Sequence, residues 1–404
     1  MTSPNISRNP ENKPLPFTHQ RDVYAAWLLW LGFFVGICIK QIASDHQRTV
    51  TAAFHYGSAK WIEGGDIYTE VLHGFLYLPH AALVYTPFHV LPNTPSELLW
   101  RLFCIGLFAI GLRQIAITAG KTAKVQMFPI MTFLTIPIAL AAMGNGQMTL
   151  PMTGAMMIGI SVLAESKHWW AVFWLCLAVA LKPLAIVLLL LAWALRPALW
   201  WRMPIGILIL LAIPWLFQSP TYVLEAYQGF VDKAMTAGSP EGTMAFSDLF
   251  GMFRAWGYEA TTSLGLGIRF LFAILTLAFA YYIFRTYGSL YGIVMLFVLS
   301  VTYLMLFNPR TENNTYAAFA PAIAMVGAWA FLVGRRSALG FLVIIMVFLM
   351  ALNYEITKHI TPGREVWMIP LLTTIFAIYL LWALLVGPAP WQERRPVTSM
   401  SSGQ

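Results

Sequence analysis

Lys182 stands between two apolar runs, 169–181 and 183–195, and is followed by Pro183. An ammonium at membrane depth costs roughly 3 kcal/mol on insertion scales. An anionic partner such as a phosphate offsets that cost; the alternative is a side chain that snorkels to the interface. Residues 307–316, FNPRTENNTY, are the densest polar cluster beside an apolar run. Asn308-Pro309 reads as a break there, and the Arg310 guanidinium can grip a phosphate as a fork. Glu312, Asn313 and Asn314 can bind sugar hydroxyls, or Asn313 can simply cap the next helix. Gly144-Asn145-Gly146-Gln147 joins two more apolar runs. Glycines let backbone approach a ligand, and Asn145 and Gln147 offer amide donors and acceptors; a plain tight turn accounts for the same residues. A polar segment, 43–75, gathers Asp45, His46, Arg48, His55, Tyr56, Lys60, Glu63 and Asp66. Asp45, just past an apolar run, is placed as a general base at a cavity mouth would be, or as a solvated acid near a helix end. Arg48, His55 and Tyr77 are taken with it as substrate contacts. Glu225, Asp232, Lys233, Asp248 and Arg254, in a second polar segment, read as a solvated face.

These groups are scarce. The chain has 404 residues, 59% hydrophobic and 10% charged, where a soluble domain carries about 25% charged residues. Apolar runs near the ~20 residues that cross a bilayer recur throughout. They are 23–42, 97–118, 127–143, 148–164, 169–181, 183–195, 203–217, 264–284, 290–307, 315–333, 338–352 and 366–386. The expected fold is an all-α polytopic membrane protein with about twelve spans. Residues 76–91 form a thirteenth apolar stretch, short and carrying Pro79, His80, Pro87 and His89. It is placed as a re-entrant or interfacial segment on the outer face. Residues 51–63 read as a short amphipathic helix laying Phe54, Ala59, Trp61 and Ile62 on the membrane surface, ended by Gly64 and Gly65.

The net charge of +8 does not point to nucleic acid, because Lys and Arg occur in ones and twos at run ends, with no basic stripe. Their placement orients the chain. With the N-terminus inside, Arg8, Lys13, Arg21, Arg113, Lys121, Lys124, Lys167, Arg196, Arg202, Arg285, Arg335, Arg336, Arg394 and Arg395 are cytoplasmic, against Glu11, Asp22, Glu165 and Glu393. Both termini are then cytoplasmic in a plasma (inner) membrane. Residues 1–22 form a polar segment without the pattern of a cleaved leader. Residues 23–386 form the membrane domain, with outer segments 43–96 and 218–263, and 387–404 read as a disordered tail. Cys38, Cys104 and Cys176 lie inside apolar runs and read as small buried hydrophobes. Neither metal-ligand spacing nor a nucleotide-binding motif occurs, so no metal and no cofactor is expected.

The order of these clusters resembles glycosyltransferase family 87, the polyprenol-phosphate-sugar-dependent family of the GT-C membrane fold. That family includes mycobacterial mannosyltransferases of phosphatidylinositol mannoside synthesis. Four stretches carry the likeness: Gly64 to Tyr68, Phe75 to Pro92, Gly146-Gln147 followed by Lys182-Pro183 and Trp200-Trp201-Arg202, and Asn308 to Asn314. The chain departs from the family's usual pattern at Thr51, nine residues before Lys60, where that pattern has Asp. It departs again in the late cluster, where many members carry a Trp/His-rich stretch.

The resemblance implies a GT-C-like helical bundle, an outward active site and a lipid-phosphate sugar donor. It implies Asp45 as the base and Lys182 as the phosphate ligand. A mannose-like hexose would pass, with inversion, from a polyprenyl-phosphate donor to a lipid-linked or glycan acceptor of the cell envelope. Lys182 and Arg310 would stabilise the leaving phosphate. A transporter or flippase of lipid-linked glycans is the rival reading; it would favour internal symmetry and polar groups facing both sides.

Overall fold

The computed structural model describes residues 19–44, 49–68, 74–121, 123–237 and 246–392. The chain is 80% helical, with no strand among the described residues. The first half holds α1 (Gln20–Ala43), α2 (Thr51–Glu63), α3 (Pro79–His89), α4 (Asn93–Gly120), α5 (Phe128–Asn145), α6 (Thr149–Ala164), α7 (His168–Leu181), α8 (Ile186–Leu195) and α9 (Arg202–Ala212). The second half holds α10 (Pro220–Ala237), α11 (Leu249–Arg254), α12 (Thr262–Tyr287), α13 (Ser289–Phe307), α14 (Ala320–Leu332), α15 (Ser337–Ala351), α16 (Asn353–Ile360) and α17 (Met368–Leu385).

Every one of the expected apolar runs is helical, and this is a polytopic membrane protein. Among the described residues, 8 helical stretches are long and apolar enough to cross a bilayer. The pair α15 and α16, bent by 69°, makes a ninth if it is one span. Three apolar helices, Thr149–Ala164, His168–Leu181 and Pro183–Leu195, are shorter. At 1.5 Å per residue the longest of them rises about 24 Å, short of the ~30 Å hydrocarbon core. The difference between nine and the expected twelve lies in these three.

The bundle is layered by burial. In α13, 83% of the apolar window is buried, and in the stretch Asn313–Leu332, 94%; in α12 only 11% is. The outward faces of α1 and α12 expose Leu28, Leu31, Phe270 and Leu271. Such faces are stable only in a solvent as apolar as they are. Inside, α4 and α6 pack most tightly through Gly111 and Gly154. A Cβ on Gly111 would lie 2.5 Å from the Gly154 carbonyl oxygen, and one on Gly154 would lie 2.5 Å from that of Leu107. Two small residues let the backbones meet where lipid supplies no hydrophobic drive between helices.

Residues 51–63 do form the expected helix, closed by Gly64 in the left-handed region at φ 69°. Only part of its expected membrane face meets protein, however: Ile62 stays exposed. Phe54 and Trp61 are buried, and the Phe54 ring sits 5.5 Å from Tyr85 of α3 and 5.7 Å from Trp100 of α4. Helix α3 supplies the covering surface. At 11 residues it is too short to cross, and Pro79 starts it where a missing N–H costs nothing. The start of the expected C-terminal tail, residues 387–392, is packed against the bundle. Trp391 is buried and stacks on Tyr291 at 4.5 Å, and the Arg336 guanidinium donates to the carbonyls of Pro388 and Gln392. Residues 393–404 lie outside the described residues.

Candidate active site

The C-terminal ends of α1, α5, α7, α13 and α15 meet at one end of the bundle, around two cavities. The first, of about 480 Å³, is lined by Tyr77, Gln147, Lys182, Lys233, Arg310 and Glu312 with Phe54, Leu184 and Phe230. Lys182 breaks the helix because Pro183 disfavours helical backbone in the residue before it; Lys182 is extended, at φ −151° and ψ 122°. Its ammonium donates to Thr149 Oγ1 at 2.8 Å. The same proline logic opens the loop after α13, where Asn308 precedes Pro309 and is extended, at φ −76° and ψ 122°. Thr311 closes that loop by donating to the Asn308 carbonyl at 2.9 Å. The Ser247 N–H reaches back to the Thr311 carbonyl at 2.6 Å, and the Arg310 guanidinium lies 5.0 Å from the Phe246 ring centroid. Burial pushes the Arg310 pKa down and the nearby Glu312 carboxylate pushes it up. An arginine is effectively always protonated in a protein. The cavity therefore sets Lys182, Lys233 and Arg310 against one lining carboxylate among the described residues, Glu312, and this balance favours an anion.

The second cavity, of about 630 Å³, is lined by Asn145 and Asn313 with Lys40, Gln41, Ser44, Asn353 and Tyr354. Residues adjacent in sequence thus face different spaces. Gln147 and Glu312 line the first cavity; Asn145 and Asn313 line the second. The turns 144–147 and 312–313 are the wall between them. Gly146 is required in that wall, at φ 67°, where an added Cβ would lie 3.2 Å from both Thr51 Cγ2 and Trp100 Cδ1. The Trp100 indole N–H holds the Gly146 carbonyl at 2.8 Å. Asp45 and Arg48 lie outside the described residues. On either side of them in sequence, Ser44 lines the second cavity and Val50 the first.

Residues 75–333 match the family model of Glycosyltransferase family 87. The chain belongs to glycosyltransferase family 87. No curated protein and no solved structure matches it. The matched stretch holds Tyr77, Gln147, Lys182, Arg310 and Glu312. Family membership makes the protein a membrane glycosyltransferase, and so decides against the transporter.

His55, grouped with these residues in the sequence, is placed apart from them. His55 lines neither cavity. Its ring pairs with His89, Nδ1 to Nδ1 at 3.2 Å, and its Nε2 lies 3.3 Å from Ser96 Oγ. Tyr85 packs edge-on to it at 5.0 Å. Burial lowers the His55 pKa from its ordinary 6.5, His89 lowers it further, and Glu97 partly opposes them. A histidine lowered in the fold binds fewer protons folded than unfolded, so stability falls as pH drops below about 6.5. Thermal unfolding in detergent from pH 8 to pH 5 is expected to show that loss, and the His55→Gln protein is expected to lose less over the same range. Equal slopes for the two would remove His55 as the cause.

Three groups were not singled out from sequence. Lys233, read as part of a solvated face, lines the first cavity with Phe230 and Ala234, three residues before it and one after it on α10. Asp248 is fully buried rather than solvated. It caps α11 by accepting the Gly251 N–H at 2.8 Å and meets Arg254 and Arg269 at 3.5 and 3.4 Å. The third is the ion pair of Glu97 and Arg101, both at most 2% exposed in their side chains. Thr51, the first residue of α2, donates its hydroxyl to Glu97. Thr49 donates to the same carboxylate at 3.3 Å. Arg101 holds the Gly144 carbonyl through Nε at 3.1 Å and Nη2 at 2.8 Å. The pair joins the start of α2 to the wall between the cavities. Its sequence signal is an acid and a base four apart in an apolar run.

Proposed function

We propose that this glycosyltransferase moves a mannose-like hexose from a polyprenyl-phosphate donor to a lipid or glycan acceptor of the cell envelope. The reaction takes place at the outer face of the plasma (inner) membrane, with both chain termini cytoplasmic. One observation carries this reading: Lys182, Lys233 and Arg310, far apart in sequence, converge with Phe54, Leu184 and Phe230 on one cavity. A phosphate joined to a greasy chain needs that combination. Helix α8 follows Lys182 and Pro183 directly, and its Leu190 and Leu191, with Leu277 and Tyr303, line an apolar groove of about 650 Å³. In this reading the prenyl chain lies along that groove.

The chemistry follows from the charges. The acceptor hydroxyl attacks the anomeric carbon on the face opposite the phosphate, which inverts that centre. The bond from the anomeric carbon to the phosphate oxygen breaks, and its electron pair leaves with the lipid phosphate. Lys182 and Arg310 neutralise that oxygen as its charge grows. Asp45 takes the acceptor proton, while Tyr77, Gln147 and Glu312 hold sugar hydroxyls. Arg48 belongs to the same substrate-binding set.

The test is a panel of synthetic prenyl-phosphate sugars and nucleotide sugars, offered to purified protein in lipid nanodiscs. Turnover is expected with prenyl-phosphate donors. Turnover with nucleotide sugars alone would overturn the donor assignment.

A further inference from the structure

We propose that Asp248 is a positioning residue of the transferase: with Arg269 it clamps the strap 246–248 onto the loop after α13, and so aims the Arg310 guanidinium into the first cavity. The part of Arg310 as a phosphate ligand rests on the function proposed above; the contacts of the strap do not.

The strap is buried throughout, with Phe246 4%, Ser247 1% and Asp248 0% exposed. The Arg310 guanidinium lies 5.0 Å from the Phe246 ring centroid, within reach of a cation–π contact. Ser247 binds the same loop through main chain and side chain. Its N–H donates to the Thr311 carbonyl at 2.6 Å and its hydroxyl to Asn313 Oδ1 at 2.9 Å. Its carbonyl accepts the Tyr316 hydroxyl at 2.8 Å. Phe246 therefore meets a lining residue of the first cavity, and Ser247 one of the second.

Asp248 anchors this strap to two helices. Its carboxylate meets Arg254 of α11 at 3.5 Å and Arg269 of α12 at 3.4 Å. Arg269 Nε donates to the Phe307 carbonyl at 2.9 Å, at the last residue of α13, just before Asn308-Pro309-Arg310. The Tyr303 hydroxyl of α13 donates to the Arg269 carbonyl at 3.0 Å. Arg269 thus ties α12, the end of α13 and the strap together. A buried carboxylate held by cations gains little stability over an apolar contact of the same volume. What it adds here is direction. Pro309 and Thr311 hold the Arg310 backbone, which leaves its long side chain to be aimed by Phe246. Misplacing a group at a reacting centre by about 1 Å costs up to about 10²-fold in rate.

The experiment is a double-mutant cycle on the full chain in lipid nanodiscs, read as kcat and donor KM. Phe246→Leu removes the ring beside Arg310 and leaves the ionic clamp. Asp248→Asn breaks the clamp and keeps an oxygen for the Gly251 N–H. Each is expected to cut kcat about tenfold. In an Arg310→Met background each is expected to change kcat less than about twofold, because the guanidinium that the strap aims is gone. A merely structural strap would cost the same factor in both backgrounds, and that result would overturn the proposal. So would wild-type kinetics of Phe246→Leu, which carries the test if Asp248→Asn does not fold. The cycle is run with whichever sugar donor turns over. Turnover of nucleotide sugars alone refutes the prenyl-phosphate reading and leaves the cycle readable. Equal losses in both backgrounds, with an active prenyl-phosphate donor, refute the strap alone.

Discussion

Lys182→Met protein is expected to transfer sugar from a prenyl-phosphate donor about 10²- to 10³-fold more slowly than wild type, with kcat falling more than the donor KM rises. The reason is that charge on the bridging oxygen grows during bond breaking, so a fixed ammonium stabilises the transition state more than the bound donor. Methionine keeps the length and apolar bulk of the side chain and removes only the charge and the bond to Thr149. Lys182→Arg is expected to recover part of the rate, since it restores the charge with a different shape. Single-turnover kinetics on the two variants, beside their melting temperatures, separate lost chemistry from lost fold. A Lys182→Met rate near wild type would remove the phosphate role of this residue.

Glu97→Gln is expected to destabilise the protein by about 3–5 kcal/mol, because it leaves the Arg101 guanidinium buried without its counter-charge. The double variant Glu97→Leu/Arg101→Met is expected to be far more stable than Glu97→Gln, since a hydrophobic pair of similar volume removes both charges together. The same double variant is nonetheless expected to lose transfer activity. It frees Thr49, Thr51 and the Gly144 carbonyl, which the pair holds in place. Melting temperatures and transfer rates of the three proteins check this. If the double variant matched wild type in both, the pair would have no part in positioning the site.

The chemistry-bearing residues were legible unevenly. Lys182, Arg310, Gln147 and Glu312 stood out because a polar group in a greasy chain is conspicuous, and all four line one cavity. Asn145 and Asn313 stood out for the same reason, yet they face the other cavity. Side-chain direction in a turn is set by backbone angles such as that of Gly146, which residue type does not reveal. His55 was grouped with them by sequence proximity, and packing sends it to His89 and Ser96 instead. Lys233 and Asp248 looked like ordinary loop charges, because nothing local separates a solvated charge from one covered by a distant helix.

By itself, the sequence determined that this chain lives in a bilayer, that it is helical throughout its apolar runs, and that Pro183 and Pro309 interrupt those runs beside a cation. Each of these follows from local properties: hydropathy over about twenty residues, and the steric demand of a proline on its neighbour. Only the tertiary structure decided that two cavities share one wall, that Phe54 and Trp61 face protein, and that Arg101, paired with Glu97 on its own helix, also holds the Gly144 carbonyl. Those outcomes depend on which elements meet across tens to more than a hundred residues, and contacts at that range are set by packing rather than by any segment's own preference.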